Sequence, residues 1–220
     1  MEKIKIHSAS EKTVGRLSLY RRLLNRLGPD ANSIYSHELA ALAGITAAQV
    51  RRDFMSIGYA GSPTRGYDIR ELKESIAHFL DAPTGQGAAL IGVGNLGRAI
   101  LSYFAGRRPN LSITAAFDKE PYKVNRVING CRCYPIEDIP KVIAEKGIRV
   151  GILTVPSAEA QAMTDTLVRA GIKGLLNFAP IPLRVPADVY VADIDMTMAL
   201  EKVAFFARQR ALEHKEAIPS

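Results

Sequence analysis

A glycine-rich segment is the clearest chemical signal in this sequence. The apolar run 88–91 leads into Gly92, Gly94 and Gly97, spaced Gly-x-Gly-x-x-Gly, and a helical pattern follows. In such a loop the first glycine permits a tight turn, the second lets a pyrophosphate approach the backbone, and the third allows helix and strand to pack closely. The free N–H groups of a helix starting near Asn95 favour phosphate. The segment therefore predicts a dinucleotide site.

Asp118 supplies the acidic half of this pattern, 21 residues after Gly97 and at the end of the next apolar strand. A carboxylate there can accept hydrogen bonds from both hydroxyls of an adenosine ribose and repels a 2′-phosphate, which favours NAD(H) over NADP(H). Lys119 and Lys123 oppose that preference, because ammonium groups neutralise a phosphate. The cofactor-binding residues predicted in this region are Gly92, Val93, Gly94, Asn95, Leu96, Gly97, Asp118, Lys119 and Lys123.

Two later strand ends are candidates for the nicotinamide region, because open parallel sheets bind ligands beyond the carboxyl ends of their strands. One end carries Thr154, Val155 and Pro156, and the next carries Asn177, Phe178 and Ala179. Phe178 either distinguishes the puckered ring of NADH from the planar cation of NAD⁺ or only fills the core.

The same region shows no paired acid–base residues of the type that hydride-transfer enzymes use. Tyr122, Tyr134, Lys141 and Lys173 are present, but nothing in the sequence pairs them. The four histidines all lie outside residues 85–200, and there is no Tyr-x-x-x-Lys motif. We therefore predict a protein that binds a dinucleotide without being an enzyme, with no catalytic residue and no metal site. An NAD-dependent oxidoreductase remains an alternative, as does a nucleotide- or CoA-binding regulator that does not bind DNA.

The first third of the chain predicts a helix-turn-helix. Ser36 and Thr46 are predicted N-caps of two short helices joined at 43–45, and Val50, Phe54 and Ile57 form the inward face of the second. Gln49, Arg51 and Arg52 face outward, where Gln can pair with adenine and Arg with guanine or phosphate. Arg65 lies in a glycine-rich segment, 61–67, that predicts a wing. The competing interpretation is that these arginines only solvate a helix.

Composition places the chain among ordinary globular proteins. It has 220 residues, a net charge of +7, 47% hydrophobic and 23% charged residues, so disorder is excluded. The absence of a long apolar run and of a signal-like N-terminus predicts a cytoplasmic protein with no membrane partner. Cys131 and Cys133 cannot form a disulfide framework or a complete zinc site. They are predicted to pack in a strand, the alternative being a thiol sensor.

The fold class predicted is α/β, in three parts. Residues 1–82 form a winged helix-turn-helix DNA-binding domain, residues 86–194 a Rossmann-like parallel-sheet domain, and residues 195–213 a C-terminal helix. Turn-forming residues at 81–87 mark the main boundary. Beyond it, apolar strands at 88–91, 113–117, 150–155, 174–177 and 189–192 alternate with helices, which indicates βαβ units.

Over almost its full length the chain resembles the Rex family of redox-sensing transcriptional repressors. The resemblance rests on several motifs in combination: Arg16-Leu17-Ser18-Leu19-Tyr20, Gln49-Val50-Arg51-Arg52-Asp53, the loop 92–97, Phe117-Asp118, Thr154-Val155-Pro156, 170–174, Leu176-Asn177-Phe178-Ala179-Pro180 and the segment at Asp195. The predicted DNA-binding residues are then Arg16, Ser36, Thr46, Gln49, Arg51, Arg52 and Arg65.

The resemblance implies a homodimer whose last helix is swapped onto the partner subunit. It also implies operator DNA as partner and NAD(H) as effector, with NADH favouring release and NAD⁺ compatible with binding. A switch is implied in which Asp195 lies near Tyr103 and the partner's Arg22, although Asp195 is also a plausible N-cap. The wing departs from the family pattern, because Ser62 and Pro63 stand where Lys and Arg are expected.

Overall fold

The structure is a computed structural model that describes residues 9–107 and 110–216, with side chains described as far as Leu212. The chain divides into two compact units between Thr84 and Gly85. Each unit has its own core, and each is described by itself.

Between residues 9 and 84, the described part of the N-terminal unit has four helices and one short antiparallel pair of strands. In chain order its elements are α1 (Glu11–Leu24), β1 (Ser33–Ile34), α2 (Ser36–Ala43), α3 (Ala47–Ser56), β2 (Tyr67–Asp68) and α4 (Ile69–Leu80). Between α3 and β2, Ser62 and Gly66 form an isolated antiparallel bridge, so the predicted wing is a small hairpin.

Phe54 of α3 lies at the centre of this unit's core. It is completely buried and meets the rings of Tyr20 and Tyr67 edge-on, with centroid separations of 5.3 and 4.9 Å. Edge-to-face contacts of this kind add to the energy of burial. Phe54 therefore joins the second helix of the helix-turn-helix both to α1 and to the strand that follows the wing.

The ends of the helix-turn-helix match the prediction in two of three places. Gly44 ends α2 in the left-handed conformation, at φ 67°, and the hydroxyl of Thr46 caps α3 by accepting from the N–H of Gln49 at 3.2 Å. The prediction that Ser36 is an N-cap is wrong, because the cap is Tyr35, whose N–H donates to the carboxylate of Glu38 at 2.7 Å. The Ser36 hydroxyl instead accepts from Arg51 at 3.0 Å, which ties α2 to α3.

Over 85–107 and 110–216, the C-terminal unit is a seven-stranded sheet with helices, in the strand order β5-β6-β4-β3-β7-β8-β9. All neighbouring strands are parallel except β5 and β6. Its elements are β3 (Gln86–Ile91), α5 (Asn95–Phe104), β4 (Leu111–Asp118), β5 (Val127–Ile128), β6 (Cys131–Pro135), α6 (Ile139–Glu145), β7 (Val150–Leu153), α7 (Ser157–Arg169), β8 (Gly174–Asn177), β9 (Tyr190–Asp193) and α8 (Met196–Glu216).

Both faces of this sheet are covered, which is why its central strands are continuously apolar. Along β3, Ala89 and Ile91 belong to a core cluster shared with α6 and α7, whereas Ala88 and Leu90 belong to a second cluster shared with α5. The arrangement confirms the predicted α/β class. The short hairpin β5–β6 was not predicted, and one turn of 3₁₀ helix, Ile136–Asp138, precedes α6.

Helix α8 differs from the other helices because every described side chain on it is exposed. Its apolar residues Met198, Val203 and Phe206 are 47%, 66% and 56% exposed. Isolated exposed apolar residues are normal, but a row of large ones marks an interaction surface. In the part of the chain that the structure covers, no helix is both long and apolar enough to cross a bilayer.

Candidate nucleotide site and nucleic-acid interface

The glycine loop between β3 and α5 adopts a shape that side chains would obstruct at two of its three glycines. Gly92 has φ +94°, and a Cβ on Gly97 would lie 2.1 Å from the carbonyl oxygen of Gly92. A Cβ on Gly94, in contrast, would meet nothing within 4 Å. Gly92 and Gly97 are therefore needed by the fold, whereas Gly94 borders open space in which a ligand can approach the backbone.

Thr154, at the end of β7, holds the same loop from the neighbouring strand. Its hydroxyl lies 2.9 Å from the carbonyl oxygen of Ile91 and 2.7 Å from that of Gly92, to which it donates. Its backbone N–H also donates to Ile91 at 2.9 Å. The loop is thus fixed by hydrogen bonds as well as by close packing.

Asp118, at the end of β4, is buried and accepts three hydrogen bonds. Its Oδ2 atom accepts from the N–H of Val93 at 2.7 Å and from the Lys123 ammonium at 3.0 Å, and its Oδ1 atom accepts from the N–H of Glu120 at 2.9 Å. Burial alone raises the pKa of Asp118, but these donors outweigh it and the pKa lies below its ordinary value. A carboxylate has about four acceptor positions, so roughly one is left for a ligand.

A cavity of about 430 Å³ opens beside the glycine loop. This size is within the range of ligand pockets. Of the predicted cofactor-binding residues, ten line it: Gly92, Gly94, Asn95, Leu96, Asp118, Lys119, Lys123, Thr154, Val155 and Pro156. Its other lining residues were not predicted: Ile91, Phe117, Glu120, Ile136, Glu159 and Met163.

The remaining five predicted residues are not among those that line the cavity. They are Val93, Gly97, Asn177, Phe178 and Ala179. The amide of Asn177 is used internally: it donates to the carbonyl of Ile181 at 3.0 Å and to Asp193 at 2.8 Å, and accepts from the N–H of Ala179 at 2.9 Å. Asn177 therefore holds the turn after β8, and the half-buried Phe178 packs against the α5-side core.

Both lysines at the cavity are engaged with carboxylates. Lys119 pairs with Glu159 of α7 at 2.5 Å, and Lys123 pairs with Asp118. The Lys119 pair is exposed, whereas Lys123 and Asp118 are 12% and 5% exposed. Lys123 therefore neutralises the Asp118 carboxylate, which the sequence predicts to bind a ribose. The spacing of residues in the sequence did not indicate this contact between Lys123 and Asp118.

In the N-terminal unit, α3 presents Arg51 and Arg52 to solvent, with Gln49 half-buried beside them. Arg51 donates to Ser36, as described above, and the Nη2 atom of Arg52 donates to the side-chain oxygen of Gln49 at 2.8 Å. Thr46 caps the same helix. The predicted residues Ser36, Thr46, Gln49, Arg51 and Arg52 therefore lie together around the first turns of α2 and α3.

Arg16 of α1 does not join this exposed group. Its guanidinium pairs with the buried carboxylate of Asp53 on α3 through two hydrogen bonds, at 2.6 and 2.7 Å, and Tyr20 donates to the same carboxylate at 2.7 Å. Burial raises the pKa of Asp53, but the hydrogen bonds from Arg16, Tyr20 and Gln49 outweigh burial and lower it below its ordinary value. Arg16 thus connects α1 to α3.

The wing is a tight hairpin with one cation near its tip. The N–H of Ser62 donates to the carbonyl of Gly66 and the N–H of Gly66 donates to the carbonyl of Ser62, both at 2.8 Å. The Ser62 hydroxyl accepts from the N–H groups of Thr64 and Arg65 at 3.3 Å. Residues 63–65 therefore form the turn between the bridged residues Ser62 and Gly66, and the Arg65 side chain is exposed.

Asp195 caps α8, because its Oδ1 atom accepts from the N–H of Met198 at 2.8 Å. The other residues of the predicted switch, Tyr103 and Arg22, are both exposed, and Arg107 lies over the Tyr103 ring at 4.2 Å. The cap is the simpler role that the sequence also suggested for Asp195. The switch that the resemblance implies stays a prediction.

Cys131 and Cys133 are buried in β6, as the packing interpretation predicted. Burial is the main reason that the pKa of Cys131 is raised to about 11, and the pKa of Cys133 is raised for the same reason. Among the described residues, no group of three or more His, Cys, Asp or Glu side chains is arranged to hold a metal ion.

A helix-turn-helix unit followed by a Rossmann-like unit with a nucleotide-type glycine loop defines a class of DNA-binding regulators with a ligand domain. Comparison with known proteins identifies the same two parts. Residues 8–54 match the family model described as the N-terminus of a putative DNA-binding protein, and residues 86–181 match the model described as a CoA binding domain.

The whole chain also matches individual proteins. The redox-sensing transcriptional repressor Rex of Lactobacillus acidophilus is 41% identical over 209 residues, which cover 94% of this chain and 97% of that protein. The crystal structure of RSP with β-NAD⁺ and operator DNA has a TM-score of 0.85 at 33% identity, and covers 94% of this chain and 96% of that one. RSP is described as a Rex-family repressor. The chain belongs to the Rex family of redox-sensing transcriptional repressors.

The two glycines of the loop provide a matched test of the packing. Gly97→Ala forces a Cβ into the carbonyl of Gly92, so we expect it to lower the free energy of unfolding by about 2–4 kcal/mol, in the range of other severe steric changes. Gly94→Ala adds the same methyl group in open space at φ −81°, and should change stability by less than about 1 kcal/mol. Thermal and urea unfolding of both variants checks this expectation, which equal losses at the two positions would contradict.

The carboxylate of Asp53 should make the N-terminal unit acid-sensitive. Because the pKa of Asp53 is lowered on folding, its stabilisation is present above the unfolded pKa of about 3.9 and is lost as pH falls through the lower native pKa. Asp53→Asn should therefore cost about 1–3 kcal/mol at pH 7, and the deficit should shrink below about pH 4.

Hydrogen exchange of peptides from α1 and α3, measured across that pH range, follows this unit separately. Glu74→Gln is the matched control, since it neutralises a carboxylate in the exposed Arg70–Glu74 pair and should cost little. A deficit for Asp53→Asn that is the same at pH 3 and pH 7 would show that the charge plays no part.

Proposed function

We propose that this protein is a transcriptional repressor that binds operator DNA as a homodimer and is released by NADH, so that it senses the NADH/NAD⁺ ratio. The observation that carries the proposal is the chain-wide similarity to RSP, whose structures are described as complexes with β-NAD⁺ and operator DNA and with β-NADH. The NADH complex has a TM-score of 0.80 at 32% identity and covers 94% of this chain. A repressor acts where the chromosome is, which supports the cytoplasm as its location.

The DNA interface that we propose consists of α3, the first turn of α2 and the wing. Arg52 would bind a base edge in the major groove and Arg51 a phosphate, since helix-turn-helix proteins place the exposed first turns of the second helix there. Arg65 would contact the backbone or the minor groove from the wing. Arg16 would contribute indirectly, because its guanidinium is engaged with Asp53.

The nucleotide site that we propose is the 430 Å³ cavity. The pyrophosphate would lie at Gly94 and the N-terminus of α5, where the backbone is open and the helix dipole favours anions. The adenosine ribose would bind at Asp118, and Lys123 would have to share that carboxylate with it. The nicotinamide would lie towards Thr154, Val155 and Pro156.

Dimerisation through α8 is supported by the exposed apolar side chains on that helix, which a partner subunit would cover. In the switch that we propose, Asp195 at the start of α8 would contact Tyr103 and the partner's Arg22 in one of two dimer arrangements. A ligand that binds the two arrangements unequally shifts their populations.

The competing functions have less support at the cavity. An oxidoreductase needs a side chain that can exchange a proton with the substrate, whereas both lysines that line this cavity are in ion pairs. The match to the model described as a CoA binding domain favours a nucleotide ligand of some kind. Asp118 favours a free ribose diol over the 3′-phosphate that CoA carries, because like charges repel.

An electrophoretic mobility shift on promoter fragments, with NADH or NAD⁺ added, tests the proposal. We expect a shifted band that NADH removes and NAD⁺ does not, because NADH would stabilise the arrangement that cannot bind DNA. Asp195→Ala should bind DNA but lose part of the NADH response if Asp195 is part of the switch. A protein that shifts no fragment, or steadily consumes NADH with a carbonyl substrate, would contradict the proposal.

Arg52 should contribute more to the operator affinity than its single positive charge alone would give. Arg52→Ala removes a bidentate partner for guanine, so the operator affinity should fall about tenfold or more. Lys141→Ala removes the same charge from an exposed position on α6, and should change the affinity less than about twofold. Equal losses in the two variants would mean that net charge, and not the arrangement of α3, drives binding.

A further inference from the structure

The acceptor positions of the Asp53 carboxylate are all occupied. One of them accepts from Gln49, which lies on α3 in the proposed DNA interface. The Oδ1 atom of Asp53 accepts from Arg16 at 2.7 Å and from the side-chain Nε2 of Gln49 at 2.9 Å. Its Oδ2 atom accepts from Arg16 at 2.6 Å and from the Tyr20 hydroxyl at 2.7 Å. A carboxylate has about four acceptor positions, so the residue is fully satisfied although it is 2% exposed.

The contact with Asp53 determines which way round the amide of Gln49 lies. Its nitrogen points inward to Asp53, four residues further along α3, so its oxygen points outward. That oxygen accepts from the Nη2 atom of Arg52 at 2.8 Å. Residues three and four apart are neighbours on a helix surface, which allows one glutamine to contact both. The buried carboxylate is therefore connected to the exposed guanidinium through Gln49.

This orientation decides which side chain can read a base. A glutamine that pairs with adenine uses its nitrogen and its oxygen together, on the same base edge. In this structure the nitrogen of Gln49 is held by Asp53 and its oxygen holds Arg52, so turning both towards one base edge would break at least one of these contacts. Arg52, in contrast, uses only one of the five N–H donors of a guanidinium in this contact. Its remaining donors include those needed for a bidentate pair with guanine.

We infer that Asp53 is a positioning residue for base recognition: it fixes the amide of Gln49 so that Gln49 holds Arg52, and Gln49 itself reads no base. The inference rests on the proposed DNA-binding function and deepens it. It reverses the sequence-based expectation that Gln49 reads adenine. The Arg16–Asp53 pair then does more than join α1 to α3. Arg16 holds the Asp53 carboxylate in place, and the orientation of the Gln49 amide depends on that carboxylate.

The test compares base preferences among variants of the full-length protein. The wild type first selects its preferred duplex from a randomised library, and relative affinities are then measured for every single base-pair change in that duplex. The same profile is measured for Arg52→Ala, Gln49→Met and Asp53→Asn. Methionine has nearly the shape of glutamine but cannot hold the guanidinium, and asparagine keeps the shape of aspartate without its charge.

We expect the three variants to lose discrimination at the same base pair. Arg52→Ala should reduce the preference there about tenfold or more, and Gln49→Met and Asp53→Asn should reduce it several-fold while leaving the preferences at other base pairs unchanged. If Gln49→Met instead loses discrimination at a different base pair, one at which the wild type prefers adenine, then Gln49 reads a base and the inference is overturned. An unchanged profile for Gln49→Met would also overturn it.

A core variant separates positioning from loss of stability. Ile76→Val removes one methyl group from a fully buried residue of α4 in the same core, and should lower stability without changing the profile. If Ile76→Val changes the profile as Asp53→Asn does, the effect is one of stability and the inference is wrong. A wild-type protein that selects no sequence contradicts the proposed function itself, which keeps the two failures distinguishable.

Discussion

The close contact between helix α5 and the glycine loop is the constraint on which the C-terminal unit depends. Only a residue without a side chain at Gly97 allows the first turn of α5 to pass the carbonyl of Gly92. Gly94, Asn95 and Leu96 at the start of the helix line the cavity, and the carbonyl of Gly92 accepts from Thr154, which follows β7. The shape of the candidate site is therefore a consequence of backbone packing, to which side chains such as Asp118 add hydrogen bonds.

Both units use a buried carboxylate for the same purpose. Asp118 accepts from the backbone of the glycine loop and from Lys123, and Asp53 accepts from Arg16, Tyr20 and Gln49. In each case several donors outweigh the cost of burial, so the pKa is lowered and the charge is kept. Each carboxylate connects separate segments of the chain and so fixes the backbone and side chains around a candidate binding surface.

Periodicity and glycine spacing were enough to predict much of the architecture. Strand β8 was predicted with the bounds that the structure has, because a continuous apolar run between turn residues is typical of a strand covered on both faces. The cap at Ser36 was wrong because Tyr35 and Glu38 form a competing local arrangement. The partner of Arg16 could not be predicted, because Arg16 and Asp53 are 37 residues apart and meet only when α1 packs against α3. Lys123 is five residues from Asp118, but the turn between them has no helical or strand periodicity from which their contact could be inferred.

The buried cysteines of β6 have a consequence for what a sensor of this design can detect. Peroxides and disulfides react with the thiolate form of cysteine, and burial raises the pKa of Cys131 to about 11. Cys133 is completely buried and Cys131 is 6% exposed, so oxidants have little access to either sulfur atom. In a redox sensor of the kind proposed, these two thiols would therefore add no direct response to peroxide.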